Sequence, residues 1–186
     1  MVIPTGSRRV FHGILHDVYQ WQQKLFDGSS ATFEMIVRQP STEVLATVNN
    51  KIIILMQEQP GRKVYLSLPG GRVEAGDAAL ETAQRELLEE TGYKASRWTL
   101  LDEFSGNQKY YFKESLFLAQ NCKKVGSQTL DAGEKIKVTL VSFDDFLQLC
   151  RNPRFVAAIP LKFMMYEALL DMKKRGELKK RLKLNI

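Results

Sequence analysis

Residues 70–93 read GGRVEAGDAALETAQRELLEETGY, and their spacing is the most informative in the chain. Two glycines open it, a segment with helical periodicity follows, and Gly92 stands where a glycine often ends a helix. The pattern predicts a helix from about residue 78 to residue 91, with Asp77 as its N-cap. The face of this helix that should pack on the core carries Leu80, Ala83, Leu87 and Thr91.

The opposite face of the predicted helix carries three glutamates that form a candidate metal site. Glu86, Glu89 and Glu90 are spaced i, i+3 and i+4, where like charges repel by about 0.2–0.5 kcal/mol per pair. A divalent cation held between them would remove this repulsion, since Mg²⁺ prefers carboxylate oxygens. The carbonyl of Gly70 or Gly71 could complete the coordination, because glycine lets the backbone approach closely. A solvated acidic face is the ordinary alternative, and the charges alone favour it.

The complete spacing resembles the Nudix box, Gly-x5-Glu-x7-Arg-Glu-U-x-Glu-Glu-x-Gly-U, in which U is a bulky apolar residue. The matching residues are Gly71, Arg85, Glu86, Leu87, Glu89, Glu90, Gly92 and Tyr93. One position departs, because Asp77 stands where the family has Glu and its side chain is one methylene shorter. The resemblance implies an α/β fold, the Nudix-type α/β/α sandwich with a mixed central sheet, and a metal-dependent hydrolase.

Segments outside the box resemble the ADP-ribose pyrophosphatase subgroup. The predicted hairpin upstream resembles its N-terminal β extension, which often supports a dimer, so residues 1–40 are assigned to an extension and 41–186 to a hydrolase domain. Residues 67–74 resemble its Glu-Leu-Pro-Ala-Gly stretch, with Ser67 replacing the Glu. Residues 131–136 resemble the loop with its late catalytic glutamate, which nominates Glu134. The proline usual about 15 residues after the box is absent, and Tyr110 stands near a spacing associated with dinucleoside polyphosphate hydrolases.

The resemblance assigns roles to residues on both sides of the box. The implied ligands of Mg²⁺ or Mn²⁺ are Gly70, Glu86, Glu89 and Glu90. The implied catalytic groups are Glu134, with Glu89 as the other candidate base, and Arg85. The implied substrate-binding residues are Gly71, Arg72, Lys63 and Tyr110, and the supporting residues are Asp77 and Glu74. The expected reaction is cleavage of a nucleoside diphosphate linked to another group, with ADP-ribose giving AMP and ribose 5-phosphate as the first expectation.

Other functions remain open, and the basic tail bears on one of them. The formal net charge is +6, and residues 173–183 hold seven basic residues against one acid, so the rest of the chain is neutral. The tail could anchor RNA for an RNA-end-processing Nudix protein, but no aromatic residue is interleaved, which favours a solvated helix end. Dinucleoside polyphosphate or (d)NTP hydrolysis is a second alternative. A catalytically silent binding module is a third, and Asp77 is its only sign.

Composition indicates an ordinary globular chain. At 186 residues one domain is expected. The longest apolar run is far shorter than a membrane span, and no signal peptide is evident, so a cytoplasmic protein without membrane association is expected. Cys122 and Cys150 read as reduced thiols, and His12 and His16 as ordinary strand residues rather than metal ligands. The expected partners are a small nucleotide and a second copy of the chain through its N-terminal strands.

Alternation and turn signals predict the remaining elements. Residues 18–26 and 31–37 should pair as one hairpin, and Asn49 with Asn50 should form the turn of another. Residues 52–56 are all apolar, which predicts a central strand buried on both faces. Residues 57–64 are predicted to be a polar loop. Further strands are predicted near residues 98–104, 110–119 and 136–141, and helices over residues 144–150 and 155–175.

Overall fold

The structure is a computed structural model that describes residues 3–184. Its strands are β1 (Arg8–His12), β2 (His16–Lys24), β3 (Ser30–Arg38), β4 (Ser41–Val48), β5 (Lys51–Gln59), β6 (Arg62–Ser67), β7 (Tyr93–Lys94), β8 (Arg97–Ser105), β9 (Tyr110–Tyr111), β10 (Lys113–Gln120), β11 (Lys123–Lys124), β12 (Lys135–Val141) and β13 (Phe155–Val156). Its helices are α1 (Ala79–Thr91), α2 (Phe143–Leu149), α3 (Ile159–Leu170) and α4 (Met172–Arg181).

A mixed central sheet organises the molecule, which confirms the predicted α/β class. Its strand order is β13-β6-β5-β4-β10-β8, with β12 also paired to β5. Strands β4 and β10 are parallel, as are β6 and β13, whereas β5 pairs antiparallel with β4, β6 and β12. The predicted hairpin around Asn49 and Asn50 joins β4 to β5, and both asparagines adopt positive φ, at 48° and 60°.

Alternate side chains of the sheet pack into two separate cores. On β5, Ile52 and Ile54 face a core that contains residues of α2, α3 and α4, whereas Ile53 and Leu55 face a core that contains residues of α1. All four are at most 2% exposed, as expected for a central strand covered on both faces. The helices on the two sides complete the α/β/α sandwich.

The N-terminal strands form a second sheet of order β1-β2-β3-β9. The predicted hairpin is β2 with β3, and Trp21 faces Phe33 across it. Strand β9 comes from the connection between β8 and β10 and pairs parallel with β3, where Ile36 faces Tyr110. A short strand from the second half of the chain therefore closes the edge of the N-terminal sheet.

Two local predictions were wrong. Residues 57–64 are not a loop, because β5 runs to Gln59 and β6 begins at Arg62. The prediction failed because Gln57 is polar and so was taken as exposed. It is buried and hydrogen-bonded to Ser67 and Tyr65 of β6. Residues 155–175 are not one helix either, since they contain β13, α3 and the start of α4. The break is at Asp171, whose carboxylate caps α4 by accepting hydrogen bonds from Lys173 N and Lys174 N.

The basic C-terminal segment is a helix packed on the core. The segment buries three leucines, of which Leu178 lies in the helix and Leu182 and Leu184 follow it. Arg175 forms an ion pair with Asp144, and a guanidinium N–H of Arg181 donates to the carbonyl of Leu101. The segment therefore contributes to the fold as well as carrying charge. No helix in residues 3–184 is long and apolar enough to cross a bilayer.

A buried carboxylate joins β4 to the start of α3. Both oxygens of Glu43 accept from the backbone N–H of Ala158, at 3.0 and 3.2 Å. Burial raises the pKa of Glu43 to about 7, the negative charge of Glu114 adds to the increase, and the positive charges of Lys162 and Arg38 oppose it. The folded protein therefore keeps a proton on this group at pH values where an exposed glutamate has lost it.

This raised pKa predicts a stability that falls as pH rises. Between about pH 4.5 and pH 7 folded Glu43 holds a proton that the unfolded chain has released, so the free energy of unfolding decreases across that window. At about 1.4 kcal/mol per pKa unit the loss is on the order of 1–3 kcal/mol. We expect Glu43→Gln to flatten this dependence in urea unfolding at pH 5 and pH 8, because the amide does not titrate.

The matched control is Glu58→Gln, which removes an exposed carboxylate from the same sheet. It should leave the difference between the two pH values as in the wild type. If Glu43→Gln loses as much stability between pH 5 and pH 8 as the wild type does, the assignment of the titration to Glu43 is wrong.

Candidate active site

The turn before α1 lies directly against strand β4. Thr42 N donates to the carbonyl of Gly71 at 2.8 Å, and Val44 N donates to the carbonyl of Pro69 at 2.8 Å. A Cβ on Gly70 would lie 2.1 Å from the carbonyl oxygen of Thr42, so no larger residue fits there. Because the Gly71 carbonyl is already engaged, Gly70 is the better candidate of the two for a metal-ligating carbonyl.

The second glycine of the turn makes room for a glutamate of the helix. A Cβ on Gly71 would lie 2.4 Å from Oε1 of Glu86. The carboxylate of Glu86 therefore occupies the space that any other side chain at position 71 would fill. A side chain at position 71 would therefore require this carboxylate to move.

Glu90 is buried, which corrects the prediction that it lies on the solvated face of the helix. It is 4% exposed, and its Oε2 accepts from Gly70 N at 2.8 Å. Burial raises the pKa of Glu90 to about 8, and the charges of Glu86, Glu134 and Glu89 add to the increase. Leu80, expected in the core, is instead 37% exposed. The buried face of the helix thus contains Ala83, Leu87 and Thr91, as predicted, and extends to Glu90 rather than to Leu80.

Arg85 holds the two outer glutamates. Its NH2 lies 2.9 Å from Oε1 of Glu86, and its NH1 donates to Oε2 of Glu89 at 2.8 Å. Burial also raises the pKa of Glu86, while the positive charge of Arg85 opposes that change. The guanidinium therefore neutralises the repulsion that the spacing of the glutamates creates.

The donor set fits a hard divalent cation, although it is not fully assembled. Within residues 3–184, no three His, Cys, Asp or Glu side chains converge in an arrangement ready to hold a metal. Arg85 explains this, because it draws Glu86 and Glu89 to itself. A buried carboxylate at position 90 and a second one seated over Gly71 are the oxygen ligands that Mg²⁺ and Mn²⁺ accept.

Glu134 acts electrostatically on this cluster from the loop before β12. Its backbone N–H donates to Asp131 O at 2.9 Å, and Asp131 N donates to its Oε2 at 3.4 Å. Its negative charge raises the pKa values of both Glu86 and Glu90 after burial, so it lies within electrostatic range of them. A cleft of about 420 Å³ between the β5–β6 turn and residues 132–135 is lined by Glu134 and Lys63.

Four other predicted residues make their contacts outside the glutamate cluster. Arg72 pairs with Glu74 at 3.1 Å and donates to the carbonyl of Ile14, so it links the box to the N-terminal sheet. The Tyr110 hydroxyl lies 3.3 Å from His16 Nε2 within the N-terminal sheet. Asp77 lies in a turn, with its N–H donating to Glu74 O at 3.1 Å.

The predicted N-cap at Asp77 is wrong. The helix begins one residue later, and Ala78 is its N-cap. The carboxylate of Glu81 accepts from Ala78 N at 3.4 Å, as the glutamate of a capping box does, whereas an Asp77 cap would have accepted from the N–H of residue 79 or 80.

Sequence reasoning missed the residues that connect the loop before Glu134 to the helix. Gln128 Nε2 donates to the carbonyl of Glu90 at 2.6 Å and to that of Ile136 at 3.1 Å. Thr129 N donates to Glu89 O at 2.8 Å. These contacts link segments far apart in the chain, and neither residue belongs to a motif.

Known proteins are similar to this chain in sequence and in fold. The chain is 28% identical over 151 residues to an ADP-ribose pyrophosphatase of Bacillus subtilis (strain 168), covering 79% of this chain and 82% of that protein. It is 28% identical over 153 residues to a methanol dehydrogenase activator of Bacillus methanolicus, covering 80% and 82%. The crystal structure of an ADP compounds hydrolase superposes with a TM-score of 0.71 at 21% identity, covering 89% of this chain and 92% of that one. The NUDIX domain model matches residues 37–161, which is more than half of the chain, so this protein belongs to the Nudix family.

Proposed function

We propose that this Nudix protein cleaves the pyrophosphate bond of a nucleoside diphosphate linked to another group. ADP-ribose, giving AMP and ribose 5-phosphate, is the first candidate substrate. The observation that carries the proposal is a pair of carboxylates at the glycine turn. That of Glu90 is buried and accepts a hydrogen bond from Gly70 N, and that of Glu86 lies against Gly71. Similarity to an ADP-ribose pyrophosphatase along most of both chains supports the choice of substrate.

In this proposal Glu86, Glu89, Glu90 and the carbonyl of Gly70 hold Mg²⁺ or Mn²⁺. The bound cation would neutralise negative charge on the diphosphate oxygens. Arg85 then has a second role, because its guanidinium can keep Glu89 oriented while the Glu86 carboxylate turns towards the cation. The substrate requires cationic contacts of its own, and we assign these to Lys63 in the cleft and to Arg72 beside the turn.

Glu134 is the proposed general base that removes a proton from the attacking water. Glu89, the other candidate, already pairs with Arg85 at 2.8 Å, so its carboxylate is engaged by a guanidinium rather than open to a water molecule. Glu134 has only a long contact of 3.4 Å from Asp131 N to its carboxylate and lines the open cleft. It is therefore better placed to reach a water molecule beside the substrate.

We further propose how the chain is organised and where it acts. Residues 1–40 form the extension and residues 41–186 the hydrolase domain, and two copies associate through the extension. Exposed apolar side chains on the N-terminal sheet support this, with Phe11 at 57% and Phe33 at 40% exposure. A cytoplasmic location is supported by the free, buried thiols of Cys122 and Cys150.

The first test replaces two proposed ligands together. Glu86→Gln with Glu90→Gln should lower kcat for ADP-ribose by about 100-fold or more, because the amides cannot hold the cation as carboxylates do. Thermal unfolding should show a folded protein. The assay uses a panel of about twenty nucleoside diphosphate derivatives, dinucleoside polyphosphates and nucleoside triphosphates with Mg²⁺ or Mn²⁺.

The control is Glu81→Gln, on the exposed face of the same helix, which should retain activity. Unchanged turnover in the double variant would refute the metal assignment. Preferential cleavage of a dinucleoside polyphosphate or a triphosphate would keep the family reaction and replace ADP-ribose as the substrate.

The second test fills the space over the turn. Gly71→Ala should weaken Mn²⁺ binding by about tenfold or more, because the new methyl group displaces the Glu86 carboxylate. Isothermal titration calorimetry measures the affinity. Gly176→Ala on α4 is the control, since its Cβ would meet nothing within 4 Å. Wild-type affinity in Gly71→Ala would contradict the seating of Glu86.

The third test concerns the dimer. Sedimentation velocity of the wild type should give twice the chain mass of 21.3 kDa. Phe11→Asp with Phe33→Asp should shift the protein to the monomer, because each carboxylate would be buried at the interface. Phe163→Asp, at an exposed phenylalanine of α3, should leave the dimer intact. A monomeric wild type would refute the assembly.

A further inference from the structure

We propose that Gln128 is a positioning residue that sets Glu134 against the metal-binding end of helix α1. The inference rests on the proposed function, since it takes Glu134 as the general base. It adds a residue outside the Nudix box to the reaction, through hydrogen bonds that no sequence motif marks.

The end of α1 leaves backbone carbonyls that the helix itself cannot satisfy. The segment of residues 125–129 supplies their donors. Val125 N and Gly126 N donate to the carbonyl of Gly92 at 2.9 and 3.3 Å, and Thr129 N donates to that of Glu89 at 2.8 Å. The approach is close enough that a Cβ on Gly92 would lie 2.3 Å from the Gly126 carbonyl oxygen. The start of the loop leading to Glu134 is therefore fastened to the helix that carries the glutamates.

Gln128 ties the two ends of that loop together. One side-chain amide nitrogen donates to Glu90 O at 2.6 Å and to Ile136 O at 3.1 Å. Glu90 is the buried glutamate of the helix, and Ile136 lies two residues after Glu134 in β12. The amide thus connects the backbone of a proposed metal ligand to the strand that starts immediately after the proposed base.

The rest of the loop has few anchors of its own. Residues 131–133 are exposed, and Glu134 is held locally by the turn with Asp131. Strand β12 is fixed by pairing with β5, where Ile136 faces Gln57. Without the Gln128 amide, the span between Thr129 and β12 would lose its crosslink, and Glu134 would be free to shift. A shift of about 1 Å at a catalytic group can cost about 100-fold in rate.

The test removes the donor and keeps the volume. Gln128→Met should lower kcat for the cleaved nucleotide by about tenfold or more, with KM changed less than about threefold, because proton removal is impaired while substrate contacts remain. The same substitution in a Glu134→Gln background should lower kcat by less than about twofold further. That non-additivity is expected if Gln128 acts through Glu134.

Gln120→Met is the matched control, because Gln120 is a buried glutamine whose side-chain amide donates to the carbonyl of Leu182 away from the site. It should lower the thermal midpoint and leave kcat unchanged. Gln128→Glu serves as a second variant if Gln128→Met does not fold, since a carboxylate also cannot donate to the two carbonyls. Loss of kcat is expected there as well.

The inference is overturned if Gln128→Met leaves kcat unchanged, or if it lowers kcat equally with and without the Glu134 carboxylate. Hydrogen exchange separates this result from failure of the proposed function. In Gln128→Met, protection of the Thr129 and Glu134 amides should fall while that of strand β5 is retained. If protection falls and the wild type cleaves no nucleotide, Gln128 does fix the loop, but the roles of Gln128 and Glu134 in the reaction are refuted. Unchanged protection refutes the connection itself.

Discussion

The hydrogen bond from Gly70 N to Glu90 is the contact on which the site depends. A carboxylate that is 4% exposed needs a partner, since burying an unpaired charge is costly. The backbone supplies one at 2.8 Å, and it does so only because the glycine turn lies flat against strand β4. The turn, the strand and the last turn of the helix are therefore held in one arrangement, and Glu86 and Glu89 take their positions from it.

This arrangement leaves the glutamate cluster with more negative charge than its surroundings offset. Arg85 neutralises part of it by bridging Glu86 and Glu89. Burial raises the pKa of Glu90, and repulsion by the neighbouring glutamates adds to the increase. Its carboxyl group therefore keeps a proton at pH values where an exposed glutamate has lost it. A divalent ion bound as proposed would take the place of that proton.

The chain departs from the ADP-ribose pyrophosphatase pattern at Ser67, and the hydrogen bonds around this residue account for a neutral side chain there. Ser67, which stands where that subgroup has Glu, accepts a hydrogen bond from Gln57 Nε2 at 2.6 Å. The Gln57 carbonyl oxygen accepts from the Tyr65 hydroxyl at 3.0 Å. Three neutral groups thus satisfy one another where a charge would need its own partner. Burial raises the pKa of Tyr65, and the charges of Glu90 and Glu134 add to this, so Tyr65 lies within electrostatic range of both glutamates.

Local patterns determined much of this protein. Gly92 at the helix end and the asparagine pair at positions 49 and 50 demand positive φ, and the structure has both. The apolar run after that turn had to be buried on two faces, which required a sheet covered by helices. The spacing of the box then indicated the family by resemblance. The helical period indicated which side of the helix carries the glutamates, because it fixes the angle between residues.

Tertiary structure alone decided the burial of Glu90, the strand character of Gln57 and the role of Gln128. Helical periodicity places a residue on a face of its helix, but the neighbouring turn decided that Glu90 points inward to Gly70 N. A polar residue reads as exposed in a sequence, and only partners distant in the chain make its burial possible. The hydrogen bonds of Gln128 span 38 residues to Glu90, a distance over which no local pattern carries information.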